Sequence, residues 1–257
     1  MRVGILGGTG PAGKALAVRL ASVGVRVTIG SRSLDRAADA CTELTSAWPS
    51  YRLDLLPGDN DDAASGDLVV VATPWDGAGP TARTLAARLE DKVVVSMANA
   101  LIKVGREFQP LMPPRGSVAA EVAAQVPRAL VAAAFHHLPA RELGSIDHPM
   151  DGDVLICSDH PQAVTAVADL VRLIPGLRPL DAGSLAAAAP IEAMTAVILS
   201  LNLRYKTRAA LSMTGIPDQT ESPTYPSTAP ENREPALNSL PSDMPELADP
   251  PGGHAPV

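Results

Sequence analysis

Apolar residues in the first 135 positions fall into short unbroken runs and do not alternate with polar ones. The runs cover Arg2–Leu6, Val25–Gly30, Leu68–Thr73, Lys92–Ser96 and Ala129–Ala134. Each is of strand length, and a strand that is apolar throughout needs cover on both faces. Stretches with helical spacing lie between most of them, at Gly13–Ser22, Leu34–Ala47, Ala78–Leu89 and Ser117–Gln125. This alternation predicts an α/β fold built on a doubly wound parallel sheet.

The texture changes after Pro149. "DVLICS" reads as a strand, "PQAVTAVADLVRLI" as a helix with Pro161 in its first turn, and "GLRPLDAG" as a further short strand. A long Ala/Leu-rich helical stretch follows from Leu185 to about Met213, with a break or bend expected near Pro190. The expected organisation is a sheet domain over 1–150, a small and mostly helical domain over 151–215, and a tail over 216–257. Ten of the 42 tail residues are proline, and Ser, Thr, Asp and Glu fill much of the rest. Such a segment buries too little apolar surface to offset its ordering entropy, so disorder is expected there.

Charge sharpens this division. The 257 residues carry a formal net charge of −7, but seven acids against one base from Ile216 onward account for −6 of it, leaving −1 for residues 1–215. A nearly neutral folded part argues against a nucleic-acid surface. No membrane segment is expected, because the apolar runs read as strand-length, and Met1-Arg2 leads straight into a strand with no signal peptide. A cytoplasmic location is the expectation. Cys41 and Cys157 lie far apart without metal-type spacing and read as two idle thiols.

Candidate chemistry begins at Gly8-Thr9-Gly10-Pro11-Ala12-Gly13, between a strand and a helix. This satisfies the G-x-G-x-x-G dinucleotide fingerprint in its required context. Gly8 would permit the tight turn, Gly10 the close approach of a pyrophosphate, and Gly13 the packing of helix on strand. The helix N-terminus then offers free N–H groups to the phosphates. Pro11 removes one of them. At the end of the second strand, NAD-binding versions place an acid for the ribose hydroxyls. Here the residues are Gly30-Ser31-Arg32, with Arg36 one turn further. A hydroxyl and two guanidinium groups suit a 2′-phosphate, so NADP is the expected cofactor.

These residues, with "VVVATPW", "VVVS", "HHLPA" and "GLRPLDAG" in the same order, resemble the NADPH-dependent reductases of the deazaflavin coenzyme F420. The resemblance spans roughly residues 1–212 and leaves out the tail. It implies a Rossmann domain holding NADP, a small C-terminal domain covering the site, the deazaflavin stacked on the nicotinamide, and a homodimer. It further implies that Thr9, Gly10, Pro11 and Ala12 surround the pyrophosphate and that Ser31, Arg32 and Arg36 hold the 2′-phosphate. Thr73, Pro74 and Trp75 would lie near the nicotinamide end, although Trp75 reads equally well as a core aromatic. Ala98, Asn99, His136 and Pro139 complete the implied cofactor contacts, with His136 as the one candidate catalytic side chain. The chain departs from the family at His137, where Thr is usual, at Pro11-Ala12 in place of Asn-Leu, and at Met97-Ala98 in place of Pro-Leu.

Acid–base chemistry is sparse. No Ser-His-Asp set, paired carboxylates or metal-ligand cluster stands out. That suits hydride transfer between two small-molecule cofactors, which asks the protein mainly to stack rings and exclude water. Reduction of a small imine or ketone, with His136 or His137 beside the carbonyl, remains open. So does a non-catalytic NADP sensor.

Overall fold

The computed structural model describes residues 1–216. The disorder expected for the tail concerns residues that otherwise lie outside this range.

Among the described residues there are ten strands: β1 Arg2–Leu6, β2 Arg26–Ser31, β3 Leu55–Asp59, β4 Leu68–Val71, β5 Val93–Ser96, β6 Leu101–Val104, β7 Glu107–Pro110, β8 Leu130–Ala133, β9 Gly152–Ser158 and β10 Leu177–Asp181. The α-helices are α1 Pro11–Ser22, α2 Leu34–Ala47, α3 Asn60–Ala63, α4 Trp75–Thr84, α5 Ala86–Leu89, α6 Val118–Gln125, α7 Ala140–Leu143, α8 Pro161–Arg172 and α9 Ala188–Tyr205. Eight strands form one sheet in the order β10-β9-β8-β5-β4-β1-β2-β3, while β6 and β7 form a separate antiparallel hairpin. All pairings in the large sheet are parallel except β8 with β9. The chain reverses direction of travel across the sheet beside β1, which lies between β2 and β4. Crevices at the carboxyl ends of strands at such a switch point are where doubly wound sheets bind ligands.

The unbroken apolar runs divide residue by residue between two cores. Val3 and Ile5 of β1, Leu68 and Val70 of β4, and Val154 and Ile156 of β9 pack with α1, α2 and α8. Val69 and Val71, Val94, Val131 and Ala133, and Leu155 and Cys157 pack with α4, α6 and α9 on the opposite face. Both faces are covered, which is why polar residues are confined to the ends of these strands. Serines cap two of the helices: Ser33 accepts from the Arg36 amide and Ser117 from the Ala120 amide.

Several expectations change. β3 contains Pro57 and Gly58 and carries little strand signal; it is tolerated because it is the sheet's outer strand. The helix expected from Gly13 starts at Pro11, whose fixed φ suits a first turn. The one expected over Ala78–Leu89 starts at Trp75 and is interrupted at Leu85. Pro190 falls in the first turn of α9, just after the expected stretch changes from a 3-10 turn over Leu185–Ala187 to α-helix at Ala188, and the helix ends at Tyr205, well before Met213, with Lys206 in left-handed conformation (φ 53°). A core boundary at residue 150 is not visible either. Met150, Val154, Ile156 and the buried face of α8 share one cluster with α1, and β9 and β10 prolong the main sheet.

The reading that no segment could span a bilayer also needs correction. Leu185–Tyr205 is long and apolar enough by length and composition. Within the fold, however, Glu192 near its middle accepts from the amides of Val118 and Ala119 (2.8 and 3.1 Å), and Ser200 accepts from the Phe108 amide (2.9 Å). Those contacts are with the rest of the protein, as in a helix packed on a core.

Candidate active site

The loop between β1 and α1 turns at Gly7, whose φ of +68° favours glycine. The sequence reading assigned the turn to Gly8. Gly8 instead donates to the carbonyls of Ile5 (3.2 Å) and Gly30 (2.9 Å), tying the loop to β2. Gly13 behaves as expected: a Cβ there would stand 2.8 Å from the Gly8 Cα, so the helix lies directly on the turn. Gly10 differs from both. A Cβ at that position would meet the protein only at 3.6 Å, an ordinary contact. Nothing in the protein's own packing demands glycine at Gly10, and its bare backbone leaves room for a ligand at the N-terminus of α1. Pro11 occupies the first helical position, next to Ala12.

Gly7, Thr9 and Gly10 form one side of a cleft of about 560 Å³; Ser31, Arg32, Arg36 and Asn60 form a second, and Ala72, Thr73, Pro74 and the start of α4 a third. Ser31 is buried, whereas Arg32 and Arg36 are exposed. The cleft thus joins a helix N-terminus to two guanidinium groups, and no acid occupies the end of β2. Asp76, which also lines it, lies in the first turn of α4. Asn60 was missed by the sequence reading. It follows β3, and its Oδ1 accepts weakly from the Gly7 amide (3.4 Å). The Asp59–Asp62 capping box that starts α3 was the available signal.

A second group of residues lies at the carboxyl ends of β4, β5 and β8, which are neighbours in the sheet. Asn99 donates through Nδ2 to the His136 carbonyl (2.7 Å). Phe135 has a left-handed φ of 64°, which turns the chain sharply just before His136. Both histidines are buried, at 4% and 1% exposure. Their rings meet edge to face with centroids 5.1 Å apart. Burial, together with the neighbouring His137, lowers the His136 imidazole to about 3, so it is neutral at physiological pH. Neither His136 nitrogen makes a well-formed hydrogen bond within the protein, although the Ala134 backbone lies close, and Thr73 Oγ1, Ser96 Oγ, Asn99 Oδ1 and His137 Nδ1 are likewise unpartnered. Buried polar atoms rarely stay unpaired. A concentration of them at one sheet edge marks a place where a bound molecule would supply the partners.

Ala98 is buried beneath this edge, and Pro139 is buried at the N-cap of α7. Trp75 does not line the cleft. It faces a separate cavity of about 670 Å³ between α4 and α6, together with Arg83, Pro113 and Glu121. Cys157 is buried and its thiol pushed up to about 12, mainly by burial, while Cys41 is half-buried; both are free.

Comparison with known proteins places this geometry. Residues 2–100 match the family model described as NADP oxidoreductase, coenzyme F420-dependent. An F420-dependent NADP reductase of Methanocaldococcus jannaschii is 34% identical over 213 residues, covering 81% of this chain and 95% of the relative. The F420-dependent NADP reductase of Methanothermobacter thermautotrophicus is 32% identical, covering 85% and 97% respectively. A crystal structure from Arthrobacter sp. FB24 superposes with a TM-score of 0.71 at 22% identity, covering 84% of this chain and all of the other, which shows a shared fold. A dinucleotide loop, a guanidinium pair and a buried histidine edge, in a chain this similar over most of its length, belong to a member of the F420-dependent NADP reductase family.

Proposed function

We propose that the protein transfers a hydride between NADP(H) and the deazaflavin coenzyme F420. The observation that carries this reading is the joining, at one sheet edge, of an anion-cradling cleft with the unpartnered wall of Thr73, Ser96, Asn99 and His136. Thr9, Gly10, Pro11 and Ala12 would receive the pyrophosphate on a turn that Gly8 and Gly13 shape, and Ser31, Arg32 and Arg36 the 2′-phosphate. The space beside Gly10 and the absence of an acid after β2 fit that cofactor. Thr73, Pro74, Ala98, Asn99, His136 and Pro139 would surround the reacting rings. When bound, the two cofactors would supply the hydride donor and the hydride acceptor. The protein's contribution would be to hold the two rings against each other in a reactive orientation and keep water out. A neutral, buried His136 suits shaping and hydrogen bonding better than carrying a charge.

The test is spectroscopic: purified protein with NADPH and oxidised F420, following loss of the deazaflavin's visible absorbance. Deuterium at the transferring carbon of NADPH is expected in the reduced deazaflavin. Label lost to water would overturn direct transfer. Turnover of imines or ketones with no F420 activity would favour the carbonyl-type reductase, and binding of NADPH without any turnover would favour a sensor.

A homodimer goes with this reading. Val197, Leu201 and Leu203 of α9 and Ile102 and Val104 of β6 are exposed, and an apolar groove of about 600 Å³ runs between β7 and α9. Exposed apolar surface of this extent is typical of interfaces. Both proposed substrates are small soluble molecules, which accords with a cytoplasmic site of action.

A further inference from the structure

His137 follows His136 directly, and the structure shows what its ring does. Its Nε2 lies 2.9 Å from the Asp153 carbonyl oxygen and 3.3 Å from the Leu155 amide, both on β9. Because β9 runs antiparallel to β8, its first residues reach the same edge of the sheet as the histidines. Asp153 is itself 2% exposed. Its carboxylate accepts from Arg178 Nε and Nη2 (2.7 and 2.9 Å) and from the Met213 amide (2.5 Å). Arg178 also donates to the carbonyls of Met213 and Ile216 (2.7 Å each). The Leu211 carbonyl accepts from the Asp153 amide (2.8 Å).

The segment after α9 is therefore fastened to residue 153, and residue 153 holds the ring against which His136 rests. The backbone of His136 is held by Asn99, and its ring by the Ala134 backbone and the edge contact with His137. The His137 ring is itself fixed through Nε2, so the edge contact gives His136 an anchored neighbour to rest on.

We propose that Asp153, clamped by Arg178 and the Met213–Ile216 segment, is a positioning residue for His136 and acts through the ring of His137. This rests on the proposed function, with the deazaflavin taken as the ring that His136 faces. Mispositioning of that ring then shows in the deazaflavin KM and spares NADPH, whose cleft lies on other elements.

The experiment is a double-mutant cycle on the full chain with Asp153→Asn, His137→Thr and both together, with Arg178→Lys as a milder break of the same clamp. Asp153→Asn and Arg178→Lys are each expected to raise the deazaflavin KM roughly tenfold, with the NADPH KM within about twofold. In the His137→Thr background the same changes should have no further effect on the deazaflavin KM. Histidine ring NMR signals, assigned to His136 by their loss in His136→Asn, should move in Asp153→Asn and Arg178→Lys. Additive effects, or unmoved ring signals accompanied only by a lower melting temperature, would overturn the proposal and leave Asp153 a simple structural staple. If the wild-type protein left F420 unreduced while the ring signals still moved, the functional reading would fall and the positioning chain would stand.

Discussion

At the scale of single residues, the site depends on two opposite strategies. Arg32 and Arg36 stay exposed, where a charge costs little, and await an anion; His136 is fully enclosed and neutral. Arg32→Ala is expected to weaken NADPH binding by about 1.5–3 kcal/mol, the worth of a charge-assisted hydrogen bond, and to leave NADH nearly unchanged. Titration calorimetry with both cofactors checks it; equal losses would mean that Arg32 does not read the 2′-phosphate. The burial of His136 has a consequence for stability. Its pKa falls from 6.5 in the unfolded chain to about 3 in the fold. The stabilisation is therefore present above pH 6.5 and is lost as pH falls toward 3, since the unfolded chain takes up the proton first. Between pH 6.5 and 5 the cost from this group is on the order of 2 kcal/mol. Denaturant unfolding of wild type and His136→Asn at both pH values should show the variant losing less.

Elements are held by backbone-directed contacts as much as by the cores. Arg19 on α1 is 2% exposed and has no carboxylate among its hydrogen-bond partners. Its guanidinium donates to the carbonyls of Leu143, Glu142, Ser145 and His148 at 2.6–2.9 Å, closing the chain that follows α7 onto α1. Burial lowers its pKa, yet the four carbonyls supply what water would have given. Arg19→Met would fill the space and leave those carbonyls unpaired. A loss of about 3 kcal/mol is expected, read from urea unfolding. A loss under about 0.5 kcal/mol would show that water replaces the guanidinium freely. Because α7 begins at Pro139, just after the histidines, loosening this tie should also raise the cofactor KM values.

For the molecule as a whole, the structure moves the start of the dispensable tail. Ile216 was expected to belong to it, but the Ile216 carbonyl accepts from Arg178, and Met213 is bonded to both Arg178 and Asp153. Deleting Pro217–Val257, which is rich in proline and acid, is expected to leave melting temperature and turnover within error of the full chain. Deletion from Met213 onward should lower both. A large drop in melting temperature from the shorter deletion would show that the tail contributes to the fold. Light scattering of the full chain and of Leu201→Glu addresses the dimer: the variant should shift toward monomer if α9 forms the interface.

Strands β1, β2, β4, β5 and β8, the helices α1, α2 and α6, the glycine loop and NADP as cofactor were all legible from residues close together in the chain. Local patterns suffice there, because an unbroken apolar run, a glycine spacing and a missing acid each state a backbone or charge requirement within a few residues. β3 and the β6–β7 hairpin were not legible, since Pro57 and Gly58 weaken one and Glu107, Gln109 and Lys103 make the other read as polar loop. Nor could local pattern show that Gly7, and not Gly8, makes the turn, that Trp75 lines a different cavity, or that Asn60 lines the cleft. The clamp is the clearest case: His137, Asp153, Arg178 and Met213 are spread over 77 positions, and their residue types are unremarkable individually. Only the antiparallel turn of β9 against β8 and the return of the chain after α9 bring them together. A hydrogen-bonded chain of that kind is decided by topology, because its members meet across strands and not along them.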